Sequence, residues 1–139
     1  MSYSIYVSGP IMAPGPDGRP PNSLLVDERQ RKFNEVSEEI RRNVGSTTLV
    51  INPLDVEACK SGTTSPTCDA VDQDHGHTWR CYLRYDLEQL VMCHEIVMLE
   101  GWEGSPGAKV EWKVAMMLGL EISYWCDKDN SAHPNGACK

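Results

Sequence analysis

The sequence predicts a single α/β domain on a mostly parallel sheet, and three observations carry that expectation. Short apolar runs of strand type alternate with longer segments whose apolar residues recur at helical spacing. At 139 residues the chain holds one domain of ordinary size, 1–139, with no internal repeat and no linker. Hydrophobic residues make up 40% of it, enough for a packed core and too many for wholesale disorder.

The elements follow in order. Residues 4–8 (Ser-Ile-Tyr-Val-Ser) read as a short buried strand, halted by Gly9-Pro10. Five prolines and two glycines between 10 and 23 exclude helix and central strand, so this is a long loop of the kind that often serves as a lid or binding loop. From Asp27 to about Asn43, Phe33, Val36, Ile40 and the following Val44 form an apolar helical stripe, with Gly45 as the stop. Thr48–Ile51 is the second strand, closed by Asn52-Pro53. The polar stretch 55–77 is a surface excursion. A second helix covers about 78–92, with Trp79, Tyr82, Leu83, Leu87 and Leu90 on one face. Glu95–Leu99 is the third strand, Gly101–Gly107 a turn, Ala108 to about Leu118 a third helix, and Leu120–Trp125 the fourth strand. The tail 127–139 has turn composition. The expected fold is therefore Rossmann-like (flavodoxin-like), with four to five strands and helices on both faces. Ligands of such sheets gather beyond the carboxyl ends of the strands. Here that edge is Ser8-Gly9-Pro10, Asn52-Pro53 and Glu100–Gly107.

Charge narrows the partners. Thirteen basic against twenty acidic residues give a net charge of −7, which argues against a sequence-independent binder of nucleic-acid polymers. No apolar run approaches the roughly 20 residues of a membrane span. The N-terminus lacks the basic region of a signal peptide, so a cytoplasmic location and reduced thiols are expected. The spacing of Cys59, Cys68, His75, His77 and Cys81 matches no zinc knuckle or ribbon, so no metal is expected there.

Two carboxylates stand on apolar faces. Glu111 shares the stripe of Ala108, Val114, Ala115 and Leu118, early in its helix. Asp86 lies among Trp79, Tyr82, Leu83, Leu87 and Leu90. An ionised group in such a place is costly unless paired or catalytic. A structural pairing stays open for both, with Arg84 the candidate partner of Asp86. At the head of the third helix, Ser105-Pro106-Gly107 suits an anion and equally suits an ordinary serine cap followed by proline. Trp102 and Trp112 could stack a base or simply pack.

Together these motifs resemble a known family. The array is Ile5-Tyr-Val-Ser-Gly-Pro10, Phe33-Asn34, Asn52-Pro53, Trp79-x-x-Tyr82-x-Arg84-x-Asp86-Leu87 and Leu99-x-Gly-Trp-Glu-Gly-Ser-x-Gly-Ala108-x-x-Glu111. It resembles the nucleoside 2-deoxyribosyltransferase-like superfamily, especially its small, often phage-borne members. That superfamily includes the 2'-deoxynucleoside 5'-monophosphate N-glycosidases. The resemblance implies N-glycosidic bond cleavage with release of free base, without cofactor or metal. It assigns Glu111 as the nucleophile on the anomeric carbon, Asp86 as the aspartate that positions substrate and assists protonation, and Tyr6 as the orienter of the nucleophile. Ser8, Gly9, Pro10, Asn52, Trp102 and Ala108 are carried over as substrate-binding, and Ser105 with Gly107 as the 5'-phosphate site. Where relatives carry an acid at the start of the third strand, this chain reads Cys93-His94-Glu95, so His94 and Glu95 are candidates for that role. The implied partners are a small deoxynucleotide or deoxynucleoside and a second copy of the chain in a homodimer or higher homo-oligomer. Two alternatives accompany this reading: a transferase exchanging bases on free deoxynucleosides, and a nucleotide or signal-molecule binding module without turnover.

Overall fold

The computed structural model describes residues 3–10, 23–53 and 79–134. The loop 11–22, the excursion 55–77 with Cys59, Cys68, His75 and His77, and the side chains of Trp79, Cys81 and Tyr82 lie outside the described part.

The elements are β1 (Ser4–Ser8), α1 (Ser23–Asn43), β2 (Leu49–Ile51), α2 (Trp79–Leu90), β3 (Glu95–Met98), α3 (Pro106–Leu118), β4 (Glu121–Cys126) and β5 (Ser131–His133), with a short 3-10 turn at Trp102–Gly104 before α3. They form one five-stranded sheet in the order β2-β1-β3-β4-β5. The first four strands are parallel and β5 runs antiparallel to β4. This is the α/β, mostly parallel, Rossmann-like arrangement that the alternation predicts. The tail differs from expectation. Its turn composition hides a strand, because Asn130 adopts a left-handed φ of 57° and folds Ser131–His133 back onto β4.

Period-2 alternation along the strands divides the core into two layers. Ile5, Val7, Val97, Leu99 and Trp125 point to one face and pack with Phe33, Val36 and Ile40 of α1. Tyr6, Ile96 and Met98 point to the other and pack with Leu90 of α2 and Ala108 and Ala115 of α3. The connection from β1 leads to one side of that strand and the one from β3 to the other. The sheet therefore reverses its winding between β1 and β3, and the loops leaving these two strands part there to form a crevice. Gly9 is required at this point: a Cβ on it would lie 2.8 Å from Leu99 Cβ. No described helix is long and apolar enough to cross a membrane.

Cysteine chemistry departs from the expected reduced state. Cys93 is free and buried, whereas Cys126 is disulfide-bonded.

Candidate active site

Helix α3 sets the geometry. Ser105 has extended backbone and its Oγ accepts a hydrogen bond from Ala108 N at 3.3 Å, with Pro106 following at the first helical position. The helix ends at Gly119, whose φ of 74° closes the C-cap. Between these ends Ala108, Glu111 and Ala115 form the buried stripe. Glu111 thus enters the layer between α3 and the sheet, only 3% exposed.

Its two oxygens are both held. Tyr6 Oη donates to Glu111 Oε2 at 2.5 Å, and Ser8 Oγ donates to Glu111 Oε1 at 2.7 Å. Tyr6 and Ser8 are two residues apart on β1, so the strand's own periodicity aims both hydroxyls at one carboxylate. Both are fully buried. Burial raises the Glu111 pKa to about 7, while the hydrogen bonds from Tyr6 and Ser8 oppose the shift. Asp86, on α2, is raised to about 8, first by burial and second by the charge of Glu111. The Tyr6 hydroxyl is raised well above its ordinary range by burial and then by the charges of Glu111 and Asp86. Tyr6, Asp86 and Glu111 therefore act on one another within the layer beneath α2 and α3. Two coupled carboxyls of this kind titrate as a pair and keep one proton near neutrality. Glu111, with two donors, is the member that ionises first.

Across the sheet edge lies a cleft of about 360 Å³, with Pro10 and Gly101 at its rim, Phe33 and Leu99 in its floor, and Arg29 and Lys32 of α1 on its wall. It occupies the crevice between the ends of β1 and β3 on the α1 face. Ser8 is two residues from Pro10, so the cleft and the Glu111 carboxylate share one edge, the cleft on the α1 face and Glu111 buried on the α3 face. Lys32 also forms an ion pair with Asp127 at the end of β4.

A family comparison covers most of this architecture: the model for the family described as Domain of unknown function (DUF4406) matches residues 3–124. The chain belongs to that family. No curated protein and no solved structure matches it. The matched span includes β1, α2, α3 and every residue of the Tyr6–Ser8–Asp86–Glu111 group.

The remaining sequence candidates fall into three groups. Gly9, Pro10, Ser105, Gly107 and Ala108 lie at the carboxyl edge. Gly9 is tied to packing against Leu99, and Ser105 to capping its own helix. Asn52 also lies at this edge, where its Nδ2 donates to Asn34 Oδ1 at 2.9 Å and ties the end of β2 to α1. Trp102 is half-buried against the layer that holds Tyr6 and Ala108. Its ring packs 5.2 Å from Trp112 and 6.1 Å from Tyr124, on the β4 flank of α3. His94 and Glu95 are not brought to the group. His94 Nδ1 is 3.0 Å from Ser4 Oγ and accepts from Ser4 N, at the opposite end of β1. Ser4 and Ser8 are four strand steps apart, roughly 13 Å. Glu95 Oε1 instead lies 3.0 Å from the Tyr3 hydroxyl.

Sequence reasoning placed Ser8 beside substrate and missed its bond to Glu111. The signal was present: a polar residue two positions after Tyr6 on a buried strand shares its face. The wall residues Arg29 and Lys32 gave no signal, being ordinary charges on an amphipathic helix.

Proposed function

We propose that the chain cleaves the N-glycosidic bond of a 2'-deoxynucleoside 5'-monophosphate, with Glu111 as nucleophile and Asp86 as the acid. One observation carries the reading: a buried carboxylate held at both oxygens, coupled to a second carboxyl whose pKa is pushed to about 8. Glycosidic chemistry needs two carboxyls in opposite protonation states, and environment is what separates them. The resemblance to the deoxyribosyltransferase-like superfamily supplies the substrate class.

In the first step a Glu111 oxygen bonds to the anomeric carbon while the bond to the base breaks. The base leaves with the electron pair and takes the Asp86 proton. Asp86, now ionised, accepts a proton from water as that water attacks the anomeric carbon and releases the Glu111 carboxylate. Tyr6 and Ser8 hold Glu111 ionised and aimed before attack. The test is chromatography after incubation with a panel of deoxynucleosides and their monophosphates: free base appears if the reading holds, and a panel without product overturns it.

One observation favours transfer on free nucleosides. Pro106 has no N–H, Ala108 N is taken by Ser105 Oγ and Lys109 N by Ser105 O. Only Gly107 N–H and the Ser105 hydroxyl proton are left among the first-turn donors for a 5'-phosphate. Adenine and thymidine offered together distinguish the reactions: transfer yields deoxyadenosine, hydrolysis yields free sugar.

A further inference from the structure

The hairpin of β4 and β5 carries a group of side chains that this reaction does not use. Its antiparallel register pairs Cys126 with Ser131 and Tyr124 with His133. Cys126 and His133 are thus diagonal neighbours on one face of the hairpin. Asp129 stands in the turn between them, next to Asn130 with its left-handed backbone. One ligand atom from each of Cys126, Asp129 and His133 lies within 4.8 Å of the others. A sulfur, an imidazole nitrogen and a carboxylate oxygen form a zinc-type donor set.

The set is gathered, with its histidine and carboxylate hydrogen-bonded to each other until a cation takes the place of their proton. His133 Nε2 is 2.6 Å from Asp129 Oδ2, a spacing at which one proton joins them. The other carboxylate oxygen accepts from Ser131 N at 3.2 Å and Ser131 Oγ at 2.8 Å, which fixes the Asp129 side chain. Cys126 is fully buried, so its sulfur has a fixed position, and it is engaged in a disulfide.

We propose that opening the Cys126 disulfide turns this hairpin into a site for one zinc-class divalent cation, held by Cys126 Sγ, the Asp129 carboxylate and His133 Nε2. A dithiol supplies the two electrons and two protons that convert the disulfide to two thiols, and leaves as its own cyclic disulfide. The cation displaces the Cys126 thiol proton to solvent. His133 presents its Nε2 lone pair by carrying its proton on Nδ1. Thiolate and carboxylate neutralise the double positive charge, and a water completes the tetrahedron. The oxidised chain offers only Asp129 and His133, so the site forms in one redox state alone.

Cobalt(II) is the probe, added to the full chain either as oxidised or after dithiothreitol reduction and anaerobic desalting. The reduced chain is expected to develop sulfur-to-cobalt charge-transfer absorption in the near ultraviolet, saturating at one cobalt per chain and reversed by zinc. The oxidised chain shows none. His133→Ala and Asp129→Ala, both in the surface hairpin, each weaken the reduced chain's affinity by about tenfold or more. Three results overturn the proposal. The first is a reduced chain without the band, whether it keeps or loses its helical circular dichroism. The second is a band indifferent to His133→Ala and Asp129→Ala, which places the cobalt on other thiols. The third is equal binding by the oxidised chain.

Discussion

Tyr3 stands just before β1 and Tyr6 at its middle, and each brings its hydroxyl to acidic residues. At the strand's start the Tyr3 hydroxyl lies 2.8 Å from Glu121 Oε2 and 3.0 Å from Glu95 Oε1, in an exposed cluster. At the middle of the strand Tyr6 donates to Glu111, beside Asp86, under two helices. Each group joins a tyrosine to two acids, and the environments differ. The first cluster is open to water at Tyr3 and Glu121, while Glu95 is half-buried and also accepts from Ser123 Oγ at 3.0 Å. The second is enclosed, so one of its carboxyls keeps a proton that water would remove. Burial, rather than the presence of a tyrosine and two acids, separates a candidate acid–nucleophile pair from a surface network.

The largest expected contrast is in turnover. Glu111→Gln keeps the shape of the side chain and can still accept from Tyr6, but it cannot attack carbon. Base release should fall by about 10⁴-fold or more, with nucleotide binding retained. Glu121→Gln in the exposed cluster should leave the rate unchanged. Chromatographic rates for both variants check this; an active Glu111→Gln removes the nucleophile assignment.

Next is the protonation split. Glu111 must be ionised, so the rate falls as pH drops below about 7. Asp86 must carry its proton, so the rate also falls as pH rises above about 8. The kcat/KM profile is expected to be a narrow bell whose limbs belong to the coupled pair. Asp86→Asn should lower the rate by about 10²- to 10³-fold and remove the alkaline limb. A profile flat from pH 6 to 9, values that bracket the two limbs near 7 and 8, would detach the pair from catalysis.

How far could these contrasts be read from the sequence? The helical stripe Ala108–Glu111–Ala115 and the apolar neighbours of Asp86 expose both carboxylates as misplaced charges, because helix periodicity is local. The alternation of elements likewise yields the sheet and its ligand edge. What local pattern does not carry is which elements meet. Trp102 packs toward Tyr124 because α3 lies between β1 and β4 and has two flanks, and spacing does not choose between them. The triplet Ser131–His133 has little strand propensity and becomes a strand only through the turn at Asn130 and its pairing with β4. His94 and Glu95 begin a strand and therefore lie away from its carboxyl edge, a constraint already contained in the order of elements.

Stability gives a third test, and its sign follows from proton binding. Both carboxyls have folded pKa values raised above the ordinary 4.5 and 3.8. The folded chain thus holds protons that the unfolded chain releases, and stability falls as pH rises from about 4 to about 8. Asp86→Asn removes part of that dependence. It should gain about 1–3 kcal/mol at pH 9 and little at pH 4, read as the difference in Tm between the two conditions. A gain that is independent of pH would assign the effect to packing instead of charge.

The smallest effect separates the two tyrosines themselves. Tyr6→Phe deletes one of the two donors on Glu111 without opening a cavity larger than a hydroxyl. The carboxylate then loses a stabilising hydrogen bond while keeping its burial, so its pKa rises further and the acid limb moves up by about one unit. Near neutrality the rate should fall by about tenfold, because less of Glu111 is ionised and it is held only by Ser8. Tyr3→Phe removes a hydroxyl whose acceptors are hydrated at once, so stability should change by no more than about 0.5 kcal/mol. Its pH profile should superimpose on that of the unaltered chain. If Tyr3→Phe moves the acid limb as far as Tyr6→Phe does, the limb does not report the Tyr6 hydrogen bond on Glu111, and the enclosed pair has no special standing.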